Sequence, residues 1–320
     1  MLPWNETVLE SLRRESLPHA LLIHGVRGVG KLALAERAAQ LVLCEAVVAA
    51  RKPCGECAAC RWFLAGNHPD FRRLEPEALA PQAEAEEGEA PARRGKPSLE
   101  IKVDQVRELA DFLHLGSHRG GRRIALVHPA EEMNPNAANA LLKGLEEPPG
   151  GAMFLLVSHR PASLPATIRS RCVALPVAVP LRETALQWLS AQGVRDAGRW
   201  LAYAGGAPLR ALEYAAESEA VDRLMRALSS RTDPLIDDRE ALERLAEALQ
   251  KIALDRAFIA SGAAAKYSAA SAKPDRRQAK SWLDYARTMG RNRALARHPL
   301  NARLFAAEMM AGMPPDDKSR

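Results

Sequence analysis

The sequence predicts an α/β domain followed by an all-α region, and three observations carry that prediction. A glycine-rich turn, Gly25-Val-Arg-Gly-Val-Gly30-Lys31, lies between a short apolar run and an alanine-rich amphipathic stretch. Two further apolar runs follow with a helical stretch between them. After Pro180 no strand signal recurs. Composition agrees, because 47% hydrophobic residues with only 5% aromatics favour helices over a sandwich or barrel.

Taken in order, Ala20 to His24 reads as a buried strand, the glycine turn follows, and Lys31 to Leu43 reads as an amphipathic helix. A second strand is expected over Arg123 to His128, a helix over Asn136 to Glu147, and a third strand over Ala152 to Ser158. Strands alternating with helices indicate a parallel sheet. Residues 77–97 are almost free of large apolar side chains, so they predict a mobile insertion that cannot bury a core. Beyond Pro180, helical stretches rich in Ala, Leu, Arg and Glu are broken near Gly205-Gly206, Thr232-Asp233-Pro234 and His298-Pro299. The 320 residues therefore divide into a core over 1–179, a small helical domain over 180–217 and a C-terminal helical domain over 218–320.

The formal charge of +6, from 45 basic against 39 acidic residues, permits nucleic-acid binding without requiring it. The first twenty residues show neither a signal-peptide pattern nor a membrane span, so the expected location is the cytoplasm. In that reducing compartment the five cysteines argue against disulfides.

Gly25, Gly28, Gly30 and Lys31 have the spacing and the strand-to-helix context of a phosphate-binding loop, where backbone N–H groups cradle phosphates and the lysine neutralises them. The next residue is Leu32, where a hydroxyl is needed to hold magnesium. At the tip of the second strand, where carboxylates complete the metal site, the chain has His128-Pro129-Ala130; Glu131 and Glu132 read as the beginning of a solvated turn or helix beyond it. Phosphoryl transfer depends on positioning and charge neutralisation, so ATP should bind weakly or not at all and should not be turned over.

Cys44, Cys54, Cys57 and Cys60 form a C-x₉-C-x₂-C-x₂-C cluster inside a module spanning 44–75. Four thiolates on tight turns suit a structural zinc ion with no open position. An iron–sulfur cluster also uses four cysteines and is the competing reading. His68 follows the module in His68-Pro-Asp70 and is read as a turn-forming or interface residue, since the thiolates already fill the coordination shell. Cys172 is read as an ordinary buried thiol, and Arg119-Gly-Gly-Arg-Arg123 as a solvated loop before a strand, with contact to a phosphate backbone as the competing reading.

The segments Leu17-Pro-His-Ala-Leu-Leu-Ile-His-Gly25, the cysteine module, Asn136-Ala-Ala-Asn-Ala-Leu-Leu-Lys-Gly-Leu-Glu-Glu-Pro-Pro149 and Ile168-Arg-Ser-Arg-Cys172 together resemble the clamp-loader subunits of bacterial DNA polymerase III, members of the AAA+ family. The likeness is densest from Leu17 to Cys172. The resemblance implies an AAA+ core, a lid and a C-terminal collar domain. The defective loop looks like the family's non-hydrolysing branch, whereas tau/gamma subunits keep a working ATPase site. Arg171 would then be an arginine finger directed into a neighbouring tau/gamma site. Arg210 matches a nucleotide-sensing arginine and would be vestigial here, and Ser158-His159 stand where a polar sensor is usual. The implied partners are tau/gamma and delta subunits, with the sliding clamp and primer-template DNA reached through the complex. Two other readings stay open: a self-sufficient ATPase of the tau/gamma type, based on Gly30-Lys31, and a zinc-stabilised DNA-binding protein.

Overall fold

The structure is a computed structural model that describes residues 2–14, 17–80, 97–118, 120–232, 234, 236–270, 275–296, 298 and 300–315. Most of the 77–97 insertion, together with Arg119, Asp233 and Pro299, therefore lies outside the described residues. The chain divides into two compact units, Met1–Pro180 and Leu181–Arg320.

In the first unit, helix α1 (Glu6–Arg14) precedes strand β1 (Ala20–His24) and helix α2 (Lys31–Leu43). Helix α3 (Ala58–Leu64), strand β2 (Phe71–Leu74) and helix α4 (Val103–His114) follow. Strand β3 (Arg123–Val127), helix α5 (Pro135–Glu146), strand β4 (Ala152–Ser158), helix α6 (Ala166–Arg169) and strand β5 (Val173–Pro176) complete it. All pairings in the sheet are parallel, in the order β2-β3-β4-β1-β5. The expected α/β class is therefore found.

The three central strands are the three apolar runs of the sequence, with β3 one residue shorter than expected. They are buried on both faces, as parallel strands under helices must be. Sequence reading missed the edges: β2 carries two exposed arginines, and β5 is mostly exposed and ends in Pro176, a residue tolerated only where a ladder bond can be lost. It also missed α4, although Val106, Leu109, Phe112 and Leu113 recur at helical spacing and are buried.

The second unit is wholly helical among its described residues, as the absence of strand signals predicted. Helices α7 (Arg182–Ala191), α8 (Ala197–Tyr203) and α9 (Pro208–Ala216) bury Leu189, Trp200, Leu201 and Tyr214 in one cluster. Helices α10 (Ser218–Ser230), α11 (Arg239–Ala260), α12 (Arg276–Leu295) and α13 (Ala302–Ala311) form a second cluster around Leu245, Leu249, Trp282 and Met289. No described helix is long and apolar enough to cross a membrane.

Candidate functional site

The glycine turn leaves the C-terminal end of β1 and enters α2 with Gly30 at the N-cap. Gly25 is required by close packing, since a Cβ there would stand 2.3 Å from the Val177 carbonyl oxygen. Gly30 adopts φ +82°, and a Cβ would meet Leu2 Cδ1 at 2.1 Å. Gly28 is also left-handed, at φ +88°. The loop is buttressed from the N-terminus: Trp4 Nε1 donates to the Val29 carbonyl at 2.9 Å, and buried Asn5 donates to the Gly30 carbonyl at 3.1 Å.

Lys31 is 2% exposed, and its ammonium donates to the Val26 carbonyl of the same loop at 2.6 Å. Burial pulls its pKa down to about 8, against the support of Glu131. The lysine is thus turned back onto its own loop. Leu32 supplies no oxygen at the magnesium position, and β3 runs into His128-Pro129.

Glu131 lies in the turn or helix expected for it but is not solvated. Residues Ala130–Glu132 form a 3-10 turn, the Glu131 side chain is 1% exposed, and its carboxylate accepts the His159 N–H at 2.9 Å. It therefore caps the end of β4 while placing a negative charge near Lys31. Ser158 is fully buried at the strand end, where its hydroxyl accepts the Arg160 N–H.

His128 and His159 meet edge to face, with centroids 5.5 Å apart. Neither Nδ1 has a hydrogen-bond partner among the described residues. Burial, then the cations Arg73, Lys31 and Arg27, pull His128 down to about 4; burial, then Lys31, His128, Arg27 and Arg160, pull His159 down to about 3. Both are neutral at pH 7. As pH falls below the ordinary histidine value, the unfolded chain binds protons that the folded chain refuses, so stability is lost from about pH 6.5 down to about pH 4 for His128 and about pH 3 for His159. The loss should be on the order of 2 kcal/mol per histidine after allowance for partial exposure. Urea titrations at pH 7 and pH 4.5 check this: replacing both histidines by Asn should shrink the difference between the two midpoints, and an unchanged difference would contradict the assignment.

The four cysteines converge. Their sulfurs all lie within 4.8 Å of one another, with Cys44 to Cys54 at 3.6 Å and Cys54 to Cys60 at 4.0 Å. Cys44 caps the C-terminus of α2 and Cys57 the N-terminus of α3, so two helix ends deliver the thiols. Four sulfurs at the roughly 2.3 Å bond length of a zinc–thiolate tetrahedron stand about 3.8 Å apart, so the cluster fits a single tetrahedral ion. An iron–sulfur cluster distributes its four thiolates over two or more irons and so spreads some of them further apart. Backbone N–H groups of Cys57 and Glu56 pull the Cys54 thiol down to about 6, while burial pushes Cys60 up to about 12. Among the described residues this is the one cluster of three or more metal-ligating side chains.

His68 lies outside that cluster and is buried, its Nδ1 accepting the Asp70 N–H at 3.1 Å in a local turn. Asp70 is 1% exposed and accepts from Ser117 Oγ and the His118 N–H while pairing with buried Arg123 at 3.4 Å. Arg123 also stacks on Phe112 and donates to its carbonyl. It is thus an internal brace rather than part of a solvated loop.

Arg171 follows α6, with its side chain 35% exposed. Nη2 pairs with Glu146 Oε1 at 2.7 Å, and Nη1 donates to the Thr167 carbonyl at 2.9 Å. The adjoining Cys172 is partly buried against the core, its thiol raised by burial to about 11. Arg210 is engaged within the second unit, pairing with Glu213 and, at 3.0 Å, with Glu247, while Nε donates to Tyr214 Oη. Sequence reading did not find Glu146 or Glu247, because each meets its arginine across a long stretch of chain.

A family model described as DNA polymerase III, delta subunit, matches residues 5–180. The DNA polymerase III subunit delta' of Pseudomonas aeruginosa is 44% identical over 214 residues, which are 65% of this chain and 60% of that protein. The subunit delta' of Yersinia pestis is 42% identical over 174 residues, 54% of this chain and 46% of that protein. The DNA polymerase III subunit tau of Salmonella typhimurium is 33% identical over 155 residues, 48% of this chain and 21% of that protein. The chain thus spans about half the length of the delta' relatives it matches.

Proposed function

The chain belongs to the DNA polymerase III delta-subunit family, and we propose that it acts as a non-hydrolysing, delta-prime-type clamp-loader subunit that lends Arg171 to a neighbour's ATP site. The observation that carries this reading is the state of the phosphate loop. Lys31 is buried and bonded to Val26, and neither Leu32 nor Pro129 can ligate the magnesium that phosphoryl transfer needs.

In this reading the chemistry lies at Arg171. A guanidinium supplied in trans stabilises charge developing on a γ-phosphate and ties hydrolysis to subunit contact. The hydrolysing neighbours are tau/gamma subunits, with delta completing a ring that loads the sliding clamp on primer-template DNA in the cytoplasm as part of a DNA-directed DNA polymerase complex. Residues 1–179 serve as the AAA+ core, 180–217 as a lid and 218–320 as a collar that joins the ring. The cysteine cluster holds a structural zinc ion. Arg210, with its donors taken by Glu213, Glu247 and Tyr214, holds α9 to α11 in place of a lost sensing role.

Replacing Arg171 by Ala in the reconstituted complex tests the proposal. Assembly should persist, because the side chain is surface-exposed, while DNA-stimulated ATP hydrolysis should fall. An unchanged rate would sink it.

A further inference from the structure

We infer that Glu146 is a positioning residue for Arg171, holding the guanidinium in the half-exposed pose from which it can reach a neighbour's nucleotide; the inference rests on the function proposed above. The backbone around Arg171 is already fixed. Ile168 is fully buried, the Arg171 N–H donates to the Ile168 carbonyl at 3.1 Å, and Cys172 packs against the core. What remains free is a long side chain with several rotatable bonds, which unrestrained would sweep a wide arc over the surface.

Two anchors from different elements remove that freedom. Thr167, within α6, accepts Nη1 at 2.9 Å, and Glu146, the last residue of α5, accepts Nη2 at 2.7 Å. Bonds to two Nη atoms from separate helices define the plane of the guanidinium as well as its position. Nε makes no hydrogen bond among the described residues, so the fork keeps donor capacity for an incoming phosphate oxygen. Glu146 has Arg171 as its one described partner, and the buried Leu145 beside it holds the helix end in place.

An exposed ion pair of this kind adds little to fold stability, with side-chain exposures of 35% and 48%. Its value here is geometric, because a catalytic group displaced by about 1 Å can lose much of its effect. Glu146 itself touches no reacting atom and acts through Arg171.

The test uses the reconstituted clamp-loader complex with primed DNA and sliding clamp. Glu146→Ala should lower kcat for ATP hydrolysis about fivefold, with KM for ATP and subunit assembly unchanged. Glu146→Gln, which keeps an acceptor for Nη2, should recover most of the loss. In an Arg171→Ala background, Glu146→Ala should cause no further decrease. If Arg171→Ala lowers the rate but Glu146→Ala leaves it unchanged, raises it, or adds an independent loss, the positioning role is wrong while the functional reading stands. If Arg171→Ala itself leaves the rate unchanged, the functional reading fails and this inference fails with it.

Discussion

Metal analysis of the purified chain should find about one zinc ion per molecule, and replacing Cys54 and Cys57 together by Ser should abolish it. The expectation comes from convergence: four sulfurs carried on the end of α2, the start of α3 and the turn between them lie within 4.8 Å. Unligated, these thiols have unlike proton affinities, with Cys54 near 6 and Cys60 near 12, so a divalent ion must displace protons to bind. Zinc uptake should therefore weaken as pH falls. Few apolar residues in this stretch are buried, so the free energy of metal binding is in effect the free energy of folding the module. Loss of zinc should expose the 44–67 segment to proteolysis. The sheet should survive, because β1, β3 and β4 draw their burial from other helices. An iron signal, or a double variant that keeps its zinc and its protease resistance, would overturn the assignment.

The parts of the molecule legible in the sequence are those whose signal is local. Central parallel strands are continuous apolar runs, so β1, β3 and β4 could be read to within a residue. The cysteine spacing and the glycine loop are likewise written over a few consecutive positions. Edge strands defeat the same logic: in Phe71-Arg-Arg-Leu74 and Val173-Ala-Leu-Pro176 exposure on one side admits arginine and proline, and four residues are too few to show a period. Glu131 was misread for a related reason. A carboxylate after a strand is ordinarily solvated, and only the fold brings the His159 N–H to it from 28 positions away. Partners of this kind are fixed by topology.

The same principle governs the prediction for the second unit, where Glu247 should prove the most costly charged residue to remove. Its carboxylate accepts from Tyr214 Oη at 2.6 Å and pairs with Arg210 at 3.0 Å, Lys251 at 3.2 Å and Arg293 at 3.4 Å. Burial alone would raise its pKa, but Lys251, Arg293 and Arg210 overcome that and hold it at about 2, so it is charged at every physiological pH. Lys251 depends on it: burial pulls this ammonium down to about 8 even with Glu247 beside it and the Tyr203 and Tyr214 rings beneath it at 3.9 and 4.2 Å. Glu247→Ala would leave the buried Lys251 without a counter-charge and the largely buried Arg210 with Glu213 alone, at a cost of about 3–5 kcal/mol. Amide hydrogen exchange along α11 reads this directly, because protection there reports the stability of the second unit without assuming that the whole chain unfolds in one step. Adding Lys251→Met should recover part of the loss, since the stranded ammonium is then removed. A loss under about 1 kcal/mol, or a double variant no more stable than Glu247→Ala, would show that water reaches the cluster and that Arg210 does not depend on it to join α9 to α11.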